Sequence, residues 1–300
     1  MFHVGTCSWT DRTLIEESNF YPQNMNTAEE RLRFYAQHFD TVEVDSTFYA
    51  FPSERNALLW VERTPSHFLF NVKAFSLFTF HRTALEAIPP FLQGDLNESL
   101  REKEYLWASD LSPSWLREAL LSFFSALHPL KEAKKIGYIL FQFPPWFRLE
   151  THNLSYLEWL KENTGDFTIA LEFRHRSWVM PQTLPRTLKF LKDLRYPLVC
   201  VDEPDLPWTI PPFFEWTSNI AVVRFHGRNR EAWQTKNVPV VEKFRYLYNT
   251  DELQEWRDRI FAKLPKEGDV FLMFNNCYRD FAVRNALEMK TLLQGEDKHV

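Results

Sequence analysis

Ile220-Ala-Val-Val-Arg-Phe-His226 is a short apolar run, rich in β-branched residues, that ends abruptly in charge. Four to eight such residues suit a strand buried on both faces, as in a parallel sheet. Seven more runs of this kind follow the same grammar, over residues 2–6, 41–45, 68–73, 136–142, 167–173, 197–201 and 269–275. Between them, amphipathic stretches predict helices over 27–38, 53–64, 113–134, 154–163, 184–194, 250–263 and 281–293. Only the sixth strand lacks a helical partner. There Leu206-Pro-Trp-Thr-Ile-Pro-Pro-Phe-Phe214 is too rich in proline, which lacks the amide donor and clashes with the preceding turn. Eight strands, nearly all followed by helices, predict an α/β chain folded as a single (β/α)8 TIM barrel over 1–300. A doubly wound sheet would carry a glycine-rich first turn, and the whole chain has seven glycines. Two connections are longer than packing requires, 74–112 after strand 3 and 227–247 after strand 7. Both leave strand C-terminal ends, the catalytic face of a barrel.

Composition narrows the function classes. At 45% hydrophobic and 25% charged the chain is not a disordered one, and three cysteines are too few for a disulfide scaffold. No basic flank and apolar core of a signal peptide opens the sequence, so the expected location is cytoplasmic. Asn97-Glu-Ser and Asn153-Leu-Ser are glycosylation acceptors only in a secreted chain. The longest apolar runs fall far short of the ~20 residues that span a bilayer, so no membrane partner is expected. A net charge of −5 argues against a surface coated in positive charge for nonspecific nucleic-acid binding, though not against a local basic cleft. The dinucleotide fingerprint, the Walker loop, the H-E-x-x-H helix and the nucleophile elbow are all missing from the sequence.

Side chains alternate across a strand, and placing the valines and phenylalanines against helices sends the polar residues inward. Glu43 and Asp45 then face the interior about 7 Å apart. Glu172 with Arg174, Arg224 with His226, and Cys200 with Asp202 follow the same logic, and Asn71 shares a face with Lys73. Gln142 and Asn275 end two further strands with amides. Burying so many polar groups without partners would cost several kcal/mol each. One reading is an ion-pair network plugging the barrel. A solvated pocket for a polar ligand explains the whole set better, since apolar side chains would fill a barrel at lower cost. His175 and Arg176, Arg228 and Arg230, and His81 with Arg82 add a basic rim suited to carboxylate or phosphate oxygens. Trp9, Phe48, Tyr49, Phe51, Trp146, Phe147 and Trp178 adjoin the same ends and could stack a base or sugar, or simply pack the loops.

Cys7, Cys200 and Cys277 lack C-x-x-C spacing, and inert core cysteines are favoured over a Cys–His pair. Glu43, Glu172, Asp202 and His226 are the donor types that hold a divalent metal. The adjacent cations already supply positive charge, so no cofactor and no metal site is assigned, with a divalent metal on these residues left as the alternative.

Gly5-Thr-Cys-Ser-Trp9, Phe20-Tyr-Pro22, Tyr35-Ala-x-x-Phe-x-Thr-Val-Glu-Val-Asp-Ser-Thr-Phe-Tyr-Ala-Phe-Pro52, Phe70-Asn-Val-Lys-Ala74, Phe141-Gln-Phe-Pro-Pro145, Glu172-Phe-Arg-His-x-Ser-Trp178, Arg224-Phe-His-Gly-Arg-Asn229 and Phe274-Asn-Asn276 occur in this order. Together they resemble the DUF72 (YecE-like) family, over essentially the whole chain. The resemblance implies a TIM barrel and no established reaction. It departs at Asp45, where the family often has asparagine, and at Cys277, where many members have aspartate or histidine. Glu43, Lys73, Gln142, Glu172, Arg174, His175, Arg224, His226, Arg228 and Asn275 match the motifs unchanged.

The favoured function is an enzyme of hydrolase or lyase type acting on an anionic or phosphate-bearing small molecule. Arg174, Arg224 and Lys73 would clamp the anion, with Glu172 or Glu43 as base and His226 as acid. Asp202 joins this catalytic set, while Asp45, Gln142, His175, Arg228, Asn275, Trp9 and Trp178 would contact substrate. A nucleic-acid binding or processing protein, and a non-catalytic sensor or scaffold using the loop from Trp107 to Trp115, are the alternatives. Oligomeric state leaves no readable pattern in one sequence.

Overall fold

The computed structural model describes residues 1–265 and 267–294. Ten strands follow one another: β1 (Phe2–Thr6), β2 (Thr41–Val44), β3 (Leu69–Lys73), β4 (Thr83–Ala84), β5 (Tyr105–Leu106), β6 (Ile136–Gln142), β7 (Ile169–Glu172), β8 (Val199–Asp202), β9 (Ile220–Phe225) and β10 (Asp269–Phe274). All eight expected strands are present, and their pairings are parallel, so the chain is α/β with parallel strands. No helix among the described residues is long and apolar enough to cross a membrane.

Backbone contacts gather the chain into two compact units, one from residues 1–43 with the chain from 185 onward, the other from residues 44–184. In the first unit the strands lie in the order β2-β1-β10-β9-β8. Gly5 lets β1 and β2 approach closely: a Cβ there would lie 2.2 Å from the Thr41 carbonyl oxygen. The strands are apolar on both faces, with Val222, Val223, Phe225, Leu272, Met273 and Phe274 fully buried. The helix Thr250–Phe261 starts at a reciprocal cap, in which Asn249 accepts from the Glu252 amide and Glu252 accepts from the Asn249 amide. It buries Leu253, Trp256 and Ile260, one face of a 3.6-residue period. The segment after β8 is irregular, as its prolines dictate, and is held by Thr209 Oγ1 donating to the Pro204 carbonyl and by Glu203 accepting from the Ile210 amide.

In the second unit β7, β6 and β3 are neighbours in that order, and β4 pairs antiparallel with β5 in a separate hairpin. The helix expected over 113–134 is two helices, Pro113–Ala126 and His128–Glu132. Pro129 explains the break, because it cannot donate into the preceding turn and fits only the first turn of a new helix. The long 74–112 connection is structured: Phe75, Leu77 and Phe78 are buried in it, and the Trp115 indole donates to the Leu92 carbonyl at 3.1 Å.

Candidate functional site

At the C-terminal strand ends of the first unit, Arg224 and Glu43 form a fully buried ion pair with Nη2 2.5 Å from Oε1. The same Nη2 lies 3.7 Å from Cys7 Sγ. His226, also fully buried, meets the Asn275 side-chain amide at Nδ1, 2.9 Å away. Glu43 lies in β2 and Arg224 in β9, while His226 and Asn275 directly follow the last residues of β9 and β10.

Asp202 is a correction. In the β8–β9 register Asp202 lies opposite Phe225 and Val201 opposite Arg224. Asp202 therefore shares the face of Phe225, whose ring packs on Tyr248 and Trp256, and not the face of Arg224. Its carboxylate accepts from Tyr248 Oη at 2.7 Å, from the Trp256 indole, and from Arg228 Nε and Nη2 at 2.9 and 2.7 Å. A catalytic role for Asp202 and a substrate-binding role for Arg228 do not fit this placement, since Arg228 also meets Glu252 and Glu255. Burial opposes the charge on Arg228, but the Asp202 carboxylate, with Tyr248 and Glu252 behind it, outweighs that and pushes its pKa up. Gly227, at φ +86°, turns the chain so that its amide donates to Tyr248 Oη. Cys200 lies on the same outward face, and burial pushes its thiol pKa up to about 12, an inert core cysteine. Of the metal-reading residues in this unit, both carboxylates already carry arginine partners.

In the second unit Glu172 ends β7 fully buried, with Arg174 Nη2 2.5 Å from its Oε1. Gln142 is its register partner on β6, so the two share a face. At the end of β3, Lys73 Nζ lies 3.7 Å from Asp45 and 4.8 Å from the centre of the Phe48 ring. A left-handed turn at Phe80, φ +59°, delivers the next residue, His81, to this cluster. Such a φ is costly for phenylalanine, and its ring compensates by packing on Phe147 and Tyr156. His81 Nδ1 meets Thr79 Oγ1 at 2.9 Å, and its ring stands edge-on to Phe48. Burial, then the charge of Lys73 and that of Arg174, push the His81 pKa down to about 4. Sequence reasoning placed His81 only on the rim, because nothing local shows that its turn folds back beside Lys73.

Between about pH 4 and the 6.5 of a free imidazole, unfolding takes up a proton at His81. Stability from this group is therefore fully present above pH 6.5 and is lost as pH falls through about 4. A proton NMR titration should give a His81 midpoint near 4, and His81→Gln should flatten the stability curve across that window. A midpoint near 6.5 would contradict the cationic neighbourhood.

Two aromatic candidates are packing residues. Trp178 is fully buried, stacked on Phe173 at 3.9 Å, with its indole donating to the Phe147 carbonyl. Trp9 is buried beside Tyr21, whose hydroxyl donates to its carbonyl. His175 accepts from the Ser177 amide at Nδ1, and burial followed by the Arg148 charge lowers its pKa. Tyr49 and Trp146, by contrast, are exposed, as are Trp107, Phe91 and Trp208.

A family model described as "Protein of unknown function DUF72" matches residues 3–300. UPF0759 protein YunF of Bacillus subtilis is 33% identical over 302 residues, covering 99% of this chain and 96% of its own. A DUF72 family protein of Enterococcus faecalis superposes with a TM-score of 0.79 at 27% identity, over 98% of this chain and 96% of that one. Another from Thermotoga maritima gives 0.76 at 28%, over 98% and 99%. With the family model matched over nearly the whole chain and a relative 33% identical along its length, the chain belongs to the DUF72 family, whose function is unknown.

Proposed function

We propose that the C-terminal ends of β3 and β7, with the His81 turn, bind an anionic small molecule, and that the protein is an enzyme of hydrolase or lyase type. The observation that carries this reading is the turn that sets the His81 imidazole beside Phe48 and the Lys73 ammonium, where burial first, and then the charges of Lys73 and Arg174, lower its pKa. Two cations whose charges both reach a half-buried imidazole favour an anion at the same place. Lys73 and Arg174 anchor the ligand. Glu172, oriented by Arg174, serves as the proton acceptor, and the neutral His81 is available as a donor once the bound anion offsets the cations. Arg228, part of the basic rim on which a nucleic-acid reading rests, is spent on Asp202, Glu252 and Glu255, which favours the small-molecule reading.

Calorimetry with inorganic phosphate and with simple carboxylates tests the binding step. Lys73→Ala should weaken the best of these anions by roughly 10–100-fold, the range for losing a charge-assisted hydrogen bond. Glu172→Gln should bind at least as tightly and, with a substrate of that class, turn over no product. An unchanged affinity in Lys73→Ala would move the site away from β3. Because a bound anion raises the His81 pKa, binding takes up protons, and affinity should rise as pH falls from 7 to 5. Titrations in buffers of different ionisation enthalpy read this uptake directly.

A further inference from the structure

Five rings run outward from the Lys73 cation in unbroken contact. Phe48 lies under the Lys73 ammonium and meets Tyr49 at 5.1 Å on one side and His81 at 5.0 Å on the other. His81 meets Trp146 at 5.9 Å, and Trp146 meets Trp107 at 6.2 Å with planes inclined by 69°. Tyr49 is 72% exposed, Trp146 57% and Trp107 41%, an arrangement that leaves much apolar ring surface in water. The backbone that carries the outer rings is restrained. Trp146 follows Pro144-Pro145, whose rings restrict the backbone, and the Trp107 amide donates to Asp110, itself tied to Lys103 at 2.8 Å. Exposed indoles set in a corner on a restrained backbone offer two faces to a flat ring.

We infer that the anion bound at Lys73 and Arg174 carries an aromatic base, so that the ligand is a nucleotide whose base stacks on Trp146 and Trp107. This rests on the anion reading above and names its substrate class. A sugar phosphate would satisfy the cations equally. Its hydroxyl-rich ring would need hydrogen-bonding partners, whereas the contacts that lead from Phe48 through His81 and Trp146 to Trp107 are ring on ring and suit a flat base. Stacking on aromatic faces is tolerant of which base is presented, so the inference concerns nucleotides as a class.

Adenosine 5′-monophosphate, ribose 5-phosphate and adenosine are the probes, measured by calorimetry and by tryptophan fluorescence. The monophosphate should bind at least tenfold more tightly than ribose 5-phosphate, and only base-bearing probes should quench the tryptophans. Trp146→Ala, at an exposed position where folding is not at stake, should abolish that tenfold preference and leave ribose 5-phosphate affinity unchanged. Equal affinity for the two phosphates would overturn the nucleotide inference while leaving the anion site intact, as would a Trp146→Ala variant that weakens both alike. Binding of adenosine as tight as that of its monophosphate would instead overturn the anion reading, and the nucleotide inference with it. Failure of all three to bind would overturn the inference.

Discussion

Arg224→Met should cost about 3–5 kcal/mol of stability, because it leaves the Glu43 carboxylate buried without the guanidinium 2.5 Å away. For a chain of this size that corresponds to a fall in Tm on the order of 10 °C. The double variant Glu43→Gln with Arg224→Met should recover most of the loss, since the expensive species is the lone buried charge and not the absence of the pair. Urea denaturation of the two single variants and the double closes the cycle. Additive losses would mean that the two residues do not act as a pair. Cys7, which receives the same guanidinium at 3.7 Å, should become more reactive to thiol reagents only insofar as the variant unfolds.

Asp202→Ala should be comparably damaging, again by about 3–5 kcal/mol, through a different route. The Tyr248 hydroxyl and the Trp256 indole are buried donors that aim at this carboxylate, and each left unsatisfied costs about 1–3 kcal/mol. Arg228 is part-exposed and keeps Glu252 and Glu255, so it adds less. The expected signature is a lowered denaturation midpoint with undiminished anion affinity in the protein that remains folded. Loss of binding at unchanged stability would return Asp202 to the functional site from which its facing removes it.

Strand positions were legible because an apolar β-branched run between turn signals has few other uses. Facing was not equally legible. Val199-Cys-Val-Asp202 alternates, but its strand is buried on both sides, so alternation alone gives two equivalent phases. What decides between them is the set of donors at Tyr248 and Trp256, whose approach depends on the tertiary packing of the helix Thr250–Phe261. An ion-pair network among the strand-end charges is legible as a reading that ranks below a solvated pocket, but which carboxylate meets which cation, as in Glu43–Arg224 and Glu172–Arg174, depends on tertiary packing. The interior of 74–112 was illegible too. Its hairpin rests on two-residue strands, too short to carry a period, and the position of His81 depends on a left-handed phenylalanine that local propensity would not choose.

The first unit has a consequence in time. Its β1 ends at Thr6 and pairs along its whole length with β10, which begins at Asp269. During synthesis at about 5–20 residues per second, β1 waits for tens of seconds before that partner exists. The segment 44–184, contiguous in the chain, meets no such delay. Nascent chains arrested before residue 269 should therefore carry β1 with one edge unpaired, open to chaperones or to another chain, and a premature stop in the last strand endangers the first as much as the end it removes.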